Sequence, residues 1–257
     1  MTKTIDLNCD MGESFGAWTM GQDDAVLAYV SSASIACGFH AGDPATMRRT
    51  VAAALAHRVA IGAHPSLPDL AGFGRREMRV TPDETYAMTL YQIGALAAIA
   101  RAAGSKLHHV KPHGALYNMA ARERGLADAI ANAVRDFDDA LILVGLADSE
   151  LPRAGEAAGL AVAHEAFADR RYEADGSLMA RGKPGAVVDD VDAAVAQAVR
   201  IATRGEVEGP NGALRVRADT ICVHGDRADA ATFAHRLREA LDIAGIAVAK
   251  PGQGRGA

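Results

Sequence analysis

Cysteine is scarce in this sequence, and its few positions exclude two common uses. Cys9, Cys37 and Cys222 are the only three cysteines in 257 residues, and they stand far apart. An odd, dispersed set fits neither a disulfide framework nor the C-x-x-C spacing of a zinc site. We therefore expect a protein of the reducing cytoplasm.

Long apolar runs and long basic runs are also missing. No stretch reaches the roughly 18 apolar residues of a membrane span, and the N-terminal MTKTIDLNCD lacks the apolar core of a signal peptide. Adjacent basic residues occur only in pairs such as Arg48-Arg49, and the net charge is −5 with a pI of about 6.0. We therefore expect a small-molecule partner and neither nucleic acid nor a membrane.

One pattern repeats about seven times: a short apolar or β-branched segment, a cluster of Gly, His, Asp and Pro, and an amphipathic helix. Apolar residues recur at helical spacing, as in Met47, Val51 and Leu55. Helix start signals are Asp43 followed by Pro44, and a capping box at Thr81-Pro82-Asp83-Glu84. Alternating strands and helices predict a parallel sheet covered by helices. The predicted strands are Ile5 to Cys9, Ser34 to Cys37, Val59 to Ala63, Leu107 to Lys111, Ala140 to Val144, Ala161 to Glu165 and Thr220 to Val223.

A TIM-barrel-like α/β fold, a (β/α)7 barrel, explains this repeat best. With 49% hydrophobic residues and a mean hydropathy of +0.02, the chain is long enough for one such domain at 1–249, and we expect 250–257 to be a disordered tail. An open doubly wound sheet is the alternative. It is less favoured because no G-x-G-x-x-G opens the first helix and polar clusters follow nearly every strand. A loop at 65–78 and a hairpin around 208–212 interrupt the repeat.

Polar side chains, nearly all of them titratable, follow the successive predicted strands. In a closed barrel these strand ends meet at one mouth, where such enzymes carry out their chemistry. Scattered surface polarity does not produce such a set, so we interpret it as one functional site. Its members are Asn8, Asp10, Glu13, His40, Asp43, His64, Lys111, His113, Glu165, Asp169, Arg170, Arg171, His224 and Asp226.

Lys111 is the most distinctive member, because it is one of only five lysines among 27 basic residues and ends an apolar strand. This indicates a partly buried ammonium that polarises a carbonyl or meets a carboxylate, with an internal salt bridge to Asp10 or Glu165 as the alternative. Asp10 itself could act as a general base or cap the following turn. His108 and His109 are adjacent in one strand and point to opposite faces, so we exclude both from the site.

Two glycine-containing segments raise the question of phosphate binding. In GFGRR at 72–76, glycines precede Arg75 and Arg76, which predicts either a lid that clamps a carboxylate or phosphate, or a solvated basic loop. The segment 176–183 is not a Walker A motif, because five residues separate its glycines and Pro184 follows Lys183.

A bound metal is an open question at the level of sequence. Asp10, His40, His64 and His113 could together form an Asp/His site. The chain has no H-E-x-x-H motif, however, and it would have to gather these ligands from separate strands. The sequence therefore predicts no particular metal.

Seven segments at the predicted strand ends resemble, in order, the motifs of the LamB/YcsF family. The resemblance runs from about Thr4 to Val248, and seven ordered segments are far more specific than any one of them. The segments are DLNCDMGESFG at 6–16, IACGFHAGD at 35–43, GAHPSLPD at 62–69, VKPHGALYN at 110–118, EAFADRRY at 165–172, ARGKPGAV at 180–187 and VHGD at 223–226.

The resemblance implies a TIM-barrel-like fold related to the glycoside hydrolase and deacetylase barrels, and the activity of a 5-oxoprolinase A component. Together with B and C subunits, such a component opens the lactam ring of 5-oxoproline to L-glutamate, using ATP with Mg²⁺ as its counter-ion. The family's motif positions correspond here to Asp10, Glu13, His40, Asp43, His64, Lys111, His113, Glu165, Arg170, Arg171, His224 and Asp226.

On this interpretation, Lys111 holds the ring oxygen or its phosphorylated form, Asp10 orients water, and His40 or His64 protonates the departing nitrogen. Two alternatives are a metal-dependent deacetylase or amidohydrolase acting on a carbohydrate or cyclic amide, and a non-catalytic subunit that only binds substrate. The expected catalytic residues are Asp10, His40, His64, Lys111, His113 and Glu165. The expected substrate-binding residues are Asn8, Glu13, Asp43, Arg75, Arg76, Arg170, Arg171, His224 and Asp226.

Overall fold

Seven parallel strands close into a barrel in the computed structural model, which describes residues 3–223 and 229–252. Each barrel strand pairs with the next along the chain, and the last one, β9, pairs with both β6 and β1. This closed ring confirms the (β/α)7 prediction and excludes the open sheet. The strands are β1 (Thr4–Met11), β2 (Ser32–Ala36), β3 (Ala60–His64), β4 (His109–Val110), β5 (Ile142–Leu146), β6 (Ala161–Phe167), β7 (Glu206–Gly209), β8 (Gly212–Arg215), β9 (Thr220–Val223) and β10 (Ala247–Val248).

Helices cover the outside of the barrel, and their start signals act as the sequence predicts. Asp43 accepts hydrogen bonds from two backbone N–H groups at the start of α2, and Thr81 with Glu84 forms a capping box at the start of α3. The helices are α1 (Asp23–Leu27), α2 (Pro44–Ala56), α3 (Pro82–Ala102), α4 (Gly114–Arg122), α5 (Arg124–Phe137), α6 (Glu150–Ala157), α7 (Val191–Arg204) and α8 (Ala230–Ile243).

Strand boundaries differ from the prediction by a few residues, for local reasons. β5 begins at Ile142 rather than Ala140, because the Asp138 side chain accepts from Ala140 N and its carbonyl accepts from Leu141 N in a tight turn. β4 has only two residues, but its hydrogen bonding to β3 extends beyond them, because His108 N donates to the Ile61 carbonyl.

The interior of the barrel is polar below the mouth. Asp6 on β1 accepts hydrogen bonds from the hydroxyls of Ser32 and Thr220. His109 points inward, is buried, and lies 3.3 Å from the Ser34 hydroxyl through Nε2. Its ring fills the space beside Gly62, where an added Cβ would lie 2.1 Å from the ring. His109 is thus a structural histidine inside the barrel.

Two segments do not belong to the repeating strand–helix pattern, namely a hairpin and the C-terminal tail. The predicted hairpin is confirmed as the antiparallel pair β7–β8. Of the predicted tail, Pro251 is buried, and 253–257 lie outside the described residues, as do His224 and Asp226. None of the helices formed by residues 3–223 and 229–252 is long and apolar enough to cross a bilayer.

Candidate active site

A cavity of about 690 Å³ opens at the carboxyl ends of the barrel strands. Its inner wall consists of polar and charged residues at or just after the ends of β1, β3, β4 and β6, and its outer wall comes from α4 and the loop between β6 and α7. The cavity therefore lies where parallel barrels hold their chemistry. The predicted site residues that line it are Asp10, Glu13, His64, Arg75, Lys111, His113, Glu165 and Arg170.

Lys111 is buried at the base of this cavity among three oxygen acceptors. Its Nζ lies 2.7 Å from Asn8 Oδ1, 2.5 Å from Asp10 Oδ1 and 3.0 Å from Glu165 Oε1. Burial alone would lower the Lys111 pKa, but the Asp10 and Glu165 carboxylates outweigh it and hold that pKa well above its ordinary value. An ammonium has three protons, so this arrangement positions both carboxylates and leaves no proton for a substrate oxygen.

Asn8 and Tyr117 belong to the same group of polar side chains around Lys111 and Glu165. The Asn8 amide donates to Glu165 Oε1 at 2.8 Å and to the Thr220 hydroxyl at 2.7 Å. Asn8 is absent from the cavity wall, so it orients Lys111 and Glu165 rather than touching a ligand. Tyr117 lines the cavity, and burial, with the Glu165 charge added, raises its pKa well above the usual value.

Three histidines form a second group beside Asp10 and Glu13. His64 Nδ1 lies 2.6 Å from the Lys111 carbonyl, and its Nε2 lies 3.3 Å from Asp10 Oδ2. His113 Nδ1 lies 2.9 Å from His64 Nε2 and 3.6 Å from Glu13 Oε1. These contacts bring imidazole nitrogens and carboxylate oxygens together at one point on the cavity wall.

His40 lies behind this wall and does not line the cavity. Its ring stacks on His113 with centroids 3.9 Å apart, and its Nε2 lies 3.6 Å from Glu13 Oε1. Burial lowers the pKa of His40 and of His113 well below the ordinary value, and the neighbouring imidazoles lower both further. Both rings are therefore neutral at physiological pH.

The loop at 72–76 packs directly onto these histidines. The Phe73 carbonyl lies 2.9 Å from His113 Nε2, and Gly74 takes a left-handed conformation with φ of 64°. A Cβ on Gly74 would lie 2.8 Å from the His40 Cβ, so only glycine allows this approach. Arg75 stands over the Phe73 ring, 4.8 Å from its centroid, at the cavity wall.

Several predicted site residues have other partners. Arg76 lies off the cavity wall and forms an ion pair with Asp69. Arg171 also lies off the wall, with its guanidinium 3.6 Å from Glu208. The Arg76 side chain is 68% exposed, and the Arg171 side chain is 41% exposed.

Asp43 also does not line the cavity, and its carboxylate accepts hydrogen bonds elsewhere. It caps α2 and accepts from Gly16 N at 2.9 Å. The hydrogen bonds from Gly16 and Thr46 hold the Asp43 pKa well below its usual range. Asp43 therefore fixes the loop after β1 onto α2.

Arg170 is the buried cation of the outer wall. One of its terminal nitrogens donates to the Met179 carbonyl at 2.6 Å, and its Nε has no acceptor among the described residues. Burial, with the nearby Arg181 added, lowers the Arg170 pKa to about 10, so the group stays charged. A guanidinium at a cavity wall is suited to bind a carboxylate or phosphate.

Sequence reasoning missed Tyr117 and Arg181, which both line the cavity. A signal for Tyr117 was present, because it stands four residues after His113 in the helix that begins at the strand end, and so shares that face. No comparable signal exists for Arg181, which reaches the cavity on an irregular loop.

Comparison with known proteins agrees with this geometry. The model of the LamB/YcsF family matches residues 5–255. The A subunit of 5-oxoprolinase from Bordetella pertussis is 59% identical over 96% of this chain and 99% of its own length, and the one from Methylococcus capsulatus is 59% identical over 98% and 97%.

Two solved structures are also similar to this chain. The lactam utilization protein of Thermus thermophilus is 48% identical over 96% of this chain and 99% of its own, with a TM-score of 0.91. A family 4 carbohydrate esterase from Streptomyces lividans shares only the fold, at 12% identity over 99% of this chain and 97% of its own, with a TM-score of 0.53. The chain belongs to the LamB/YcsF family.

Proposed function

We propose that this chain is the A component of a 5-oxoprolinase and that its cavity receives 5-oxoproline for hydrolytic opening to L-glutamate, coupled to ATP hydrolysis in a complex with B and C subunits. The names of the relatives from Bordetella pertussis and Methylococcus capsulatus support this proposal. The observation that carries it is the meeting of Asp10, His64 and Lys111 on the wall of a cavity that the buried Arg170 also lines.

Arg170 is the residue that suits the substrate's carboxylate. 5-Oxoproline carries one carboxylate beside its lactam ring, and a buried guanidinium binds such a group with charge-assisted hydrogen bonds. At about 690 Å³ the cavity is larger than this small acid requires, which leaves room for a phosphoryl group on the lactam carbonyl oxygen.

The lactam itself is a poor electrophile, because amide resonance must be broken before water can attack it. Phosphorylation of the lactam carbonyl oxygen makes the attached carbon more electrophilic. Water can then add to that carbon, the C–N bond breaks, and the resulting acyl phosphate is hydrolysed to the carboxylate and phosphate, which explains the demand for ATP. Asp10 forms an ion pair with the Lys111 ammonium and is suited to orient that water. Of the two histidines, His64 is better placed than His40 to contact a bound ligand, because only His64 lines the cavity.

Phosphoryl transfer requires in-line geometry and neutralisation of the γ-phosphate by Mg²⁺ and basic residues. The sequence lacks a Walker A motif, and Lys183 of the rejected segment pairs with Glu173 at 2.8 Å on an exposed loop. We therefore assign ATP and Mg²⁺ binding to the complex rather than to this cavity alone.

The decisive experiment measures 5-oxoproline-dependent formation of glutamate and ADP by the purified chain, with and without its B and C partners. We expect appreciable turnover only with both partners. Turnover by the chain alone that Asp10→Asn abolishes would show a self-sufficient enzyme. ATP-independent release of acetate from an acetylated sugar by the chain alone would instead favour the deacetylase alternative.

Adjacent arginines offer a matched test of substrate binding. Arg170→Gln in the reconstituted complex is expected to raise the KM for 5-oxoproline by about 10- to 100-fold, the equivalent of one charged hydrogen bond of about 1.5–3 kcal/mol. Arg171→Gln removes the same charge from an exposed side chain off the cavity wall and should leave the KM unchanged. Equal effects of the two variants would contradict the role of Arg170.

A further inference from the structure

Two buried hydrogen bonds fix where His64 and His113 carry their hydrogens. The Lys111 carbonyl lies 2.6 Å from His64 Nδ1, and the Phe73 carbonyl lies 2.9 Å from His113 Nε2. A carbonyl only accepts, so both of these ring nitrogens are donors. In neutral rings the other two nitrogens, His64 Nε2 and His113 Nδ1, then present lone pairs to each other at 2.9 Å. Such a contact is repulsive unless a cation lies beside it.

The surrounding acceptors have the spacing of a coordination shell. Glu13 Oε1 lies 3.6 Å from His113 Nδ1 and 3.6 Å from His40 Nε2. One ligand atom from each of these three residues and from His64 falls within 4.8 Å of all the others. Two ligand atoms on a tetrahedral zinc ion, each at about 2.0–2.1 Å, stand about 3.4 Å apart. The separation of 2.9 Å between His64 Nε2 and His113 Nδ1 is shorter than that value, and the two separations of 3.6 Å from Glu13 Oε1 are slightly longer.

His40 supplies an independent observation. It is 1% exposed, and neither of its ring nitrogens has a hydrogen-bond partner among the described residues. Leaving such a polar group buried and unsatisfied costs about 1–3 kcal/mol. Its Nε2 faces Glu13, and a tilt of the ring off its stack on His113 breaks no hydrogen bond.

We propose that Glu13, His40, His64 and His113 bind one divalent transition-metal ion, with zinc as the expected species. Three imidazoles and a carboxylate are the ligands that such ions prefer. The carbonyl partners of His64 and His113 are the outer contacts that orient metal-binding histidines. A bound ion of this kind supplies Lewis-acid polarisation of an oxygen.

The competing explanation is a proton shared between His64 and His113, with no metal. This inference does not depend on the identity of the substrate, so a binding experiment tests it separately from the proposed reaction. Chelator-treated chain is titrated with Zn²⁺ by calorimetry and with Co²⁺ by visible absorption. We expect one equivalent of each, the d–d bands of a four- or five-coordinate ion, and a metal-dependent rise in Tm. The absence of saturable binding overturns the proposal.

Variants locate the site. His40→Gln breaks no hydrogen bond and is expected to weaken Zn²⁺ binding at least about 100-fold, since even outer contacts are worth 10- to 100-fold. His113→Gln should do the same and should change the Co²⁺ spectrum. His57→Gln alters an exposed histidine that ends α2 and should bind as the parent does. Circular dichroism of the metal-free variants verifies folding, and parental affinity in folded His40→Gln and His113→Gln variants refutes the assignment.

Discussion

Replacing Lys111 by Met should destabilise this protein far more than an ordinary core substitution. The side chain is 2% exposed, and its ammonium contacts the carboxylates of Asp10 and Glu165 at 2.5 and 3.0 Å. Methionine fills a similar volume, so the loss of charge, not of packing, dominates the effect. Both carboxylates would remain, and Glu165 is fully buried with no positive charge to offset its desolvation.

The expected loss is about 3–5 kcal/mol of unfolding free energy, the usual range when one partner of a buried ion pair is removed. Coulomb's law with an effective dielectric constant of about 20 gives an attraction of about 5–6 kcal/mol at the 3.0 Å separation from Glu165, which lies just above the upper end of that range. For a chain of this size the Tm should fall by roughly 10 °C.

The assay is urea unfolding followed by circular dichroism at neutral pH, on the parent, Lys111→Met, Glu165→Gln and the double variant. If the unpaired Glu165 carboxylate causes the destabilisation, adding Glu165→Gln to Lys111→Met should recover at least about half of the lost unfolding free energy. The reason is that both partners of the buried ion pair are then removed together. A loss below about 1 kcal/mol, or no recovery in the double variant, would refute this reasoning.

Two further predictions concern carboxylates of the first strand. Asp10→Asn should lower the kcat of the reconstituted complex by roughly 10²-fold or more, and full activity in a folded variant would remove Asp10 from the mechanism. Burial raises the Asp6 pKa from 3.8 to about 6, so its contribution to stability is fully present below about pH 4 and is lost as the pH rises through 6. The change is roughly 3 kcal/mol. Urea unfolding across this window should show a flatter pH dependence for Asp6→Asn, and an unchanged slope would contradict the assignment.

Local signals made the fold predictable. The capping box of Thr81 and Glu84 and the Asp43-Pro44 start act through neighbours within four residues, so the sequence alone reveals them. The parallel strands follow from their repeated pairing with helices. The start of β5 was misplaced because the turn at Asp138 draws Ala140 out of the strand.

The roles of individual site residues were less predictable, because they depend on contacts between distant segments. Asp43 follows a strand as Asp10 does, yet it caps a helix, while Asp10 contacts Lys111 at the cavity wall. Arg170 and Arg171 are sequence neighbours with the same chemistry, and only the backbone of an irregular loop decides which one lines the cavity. Residue type and strand-end position therefore identify the set but not the part that each member plays.

The polar interior of the barrel explains why the site geometry is well defined. From Asp6 a continuous series of hydrogen bonds runs upward through Thr220 and Asn8 to Glu165 and Lys111. These residues come from four different strands or strand ends, so the position of the ammonium depends on strands that lie on opposite sides of the barrel. Networks of this kind are rigid when every member is satisfied. Asn8 therefore belongs to the site as the residue that holds Lys111 in place, and its importance arises from position rather than from contact with the ligand.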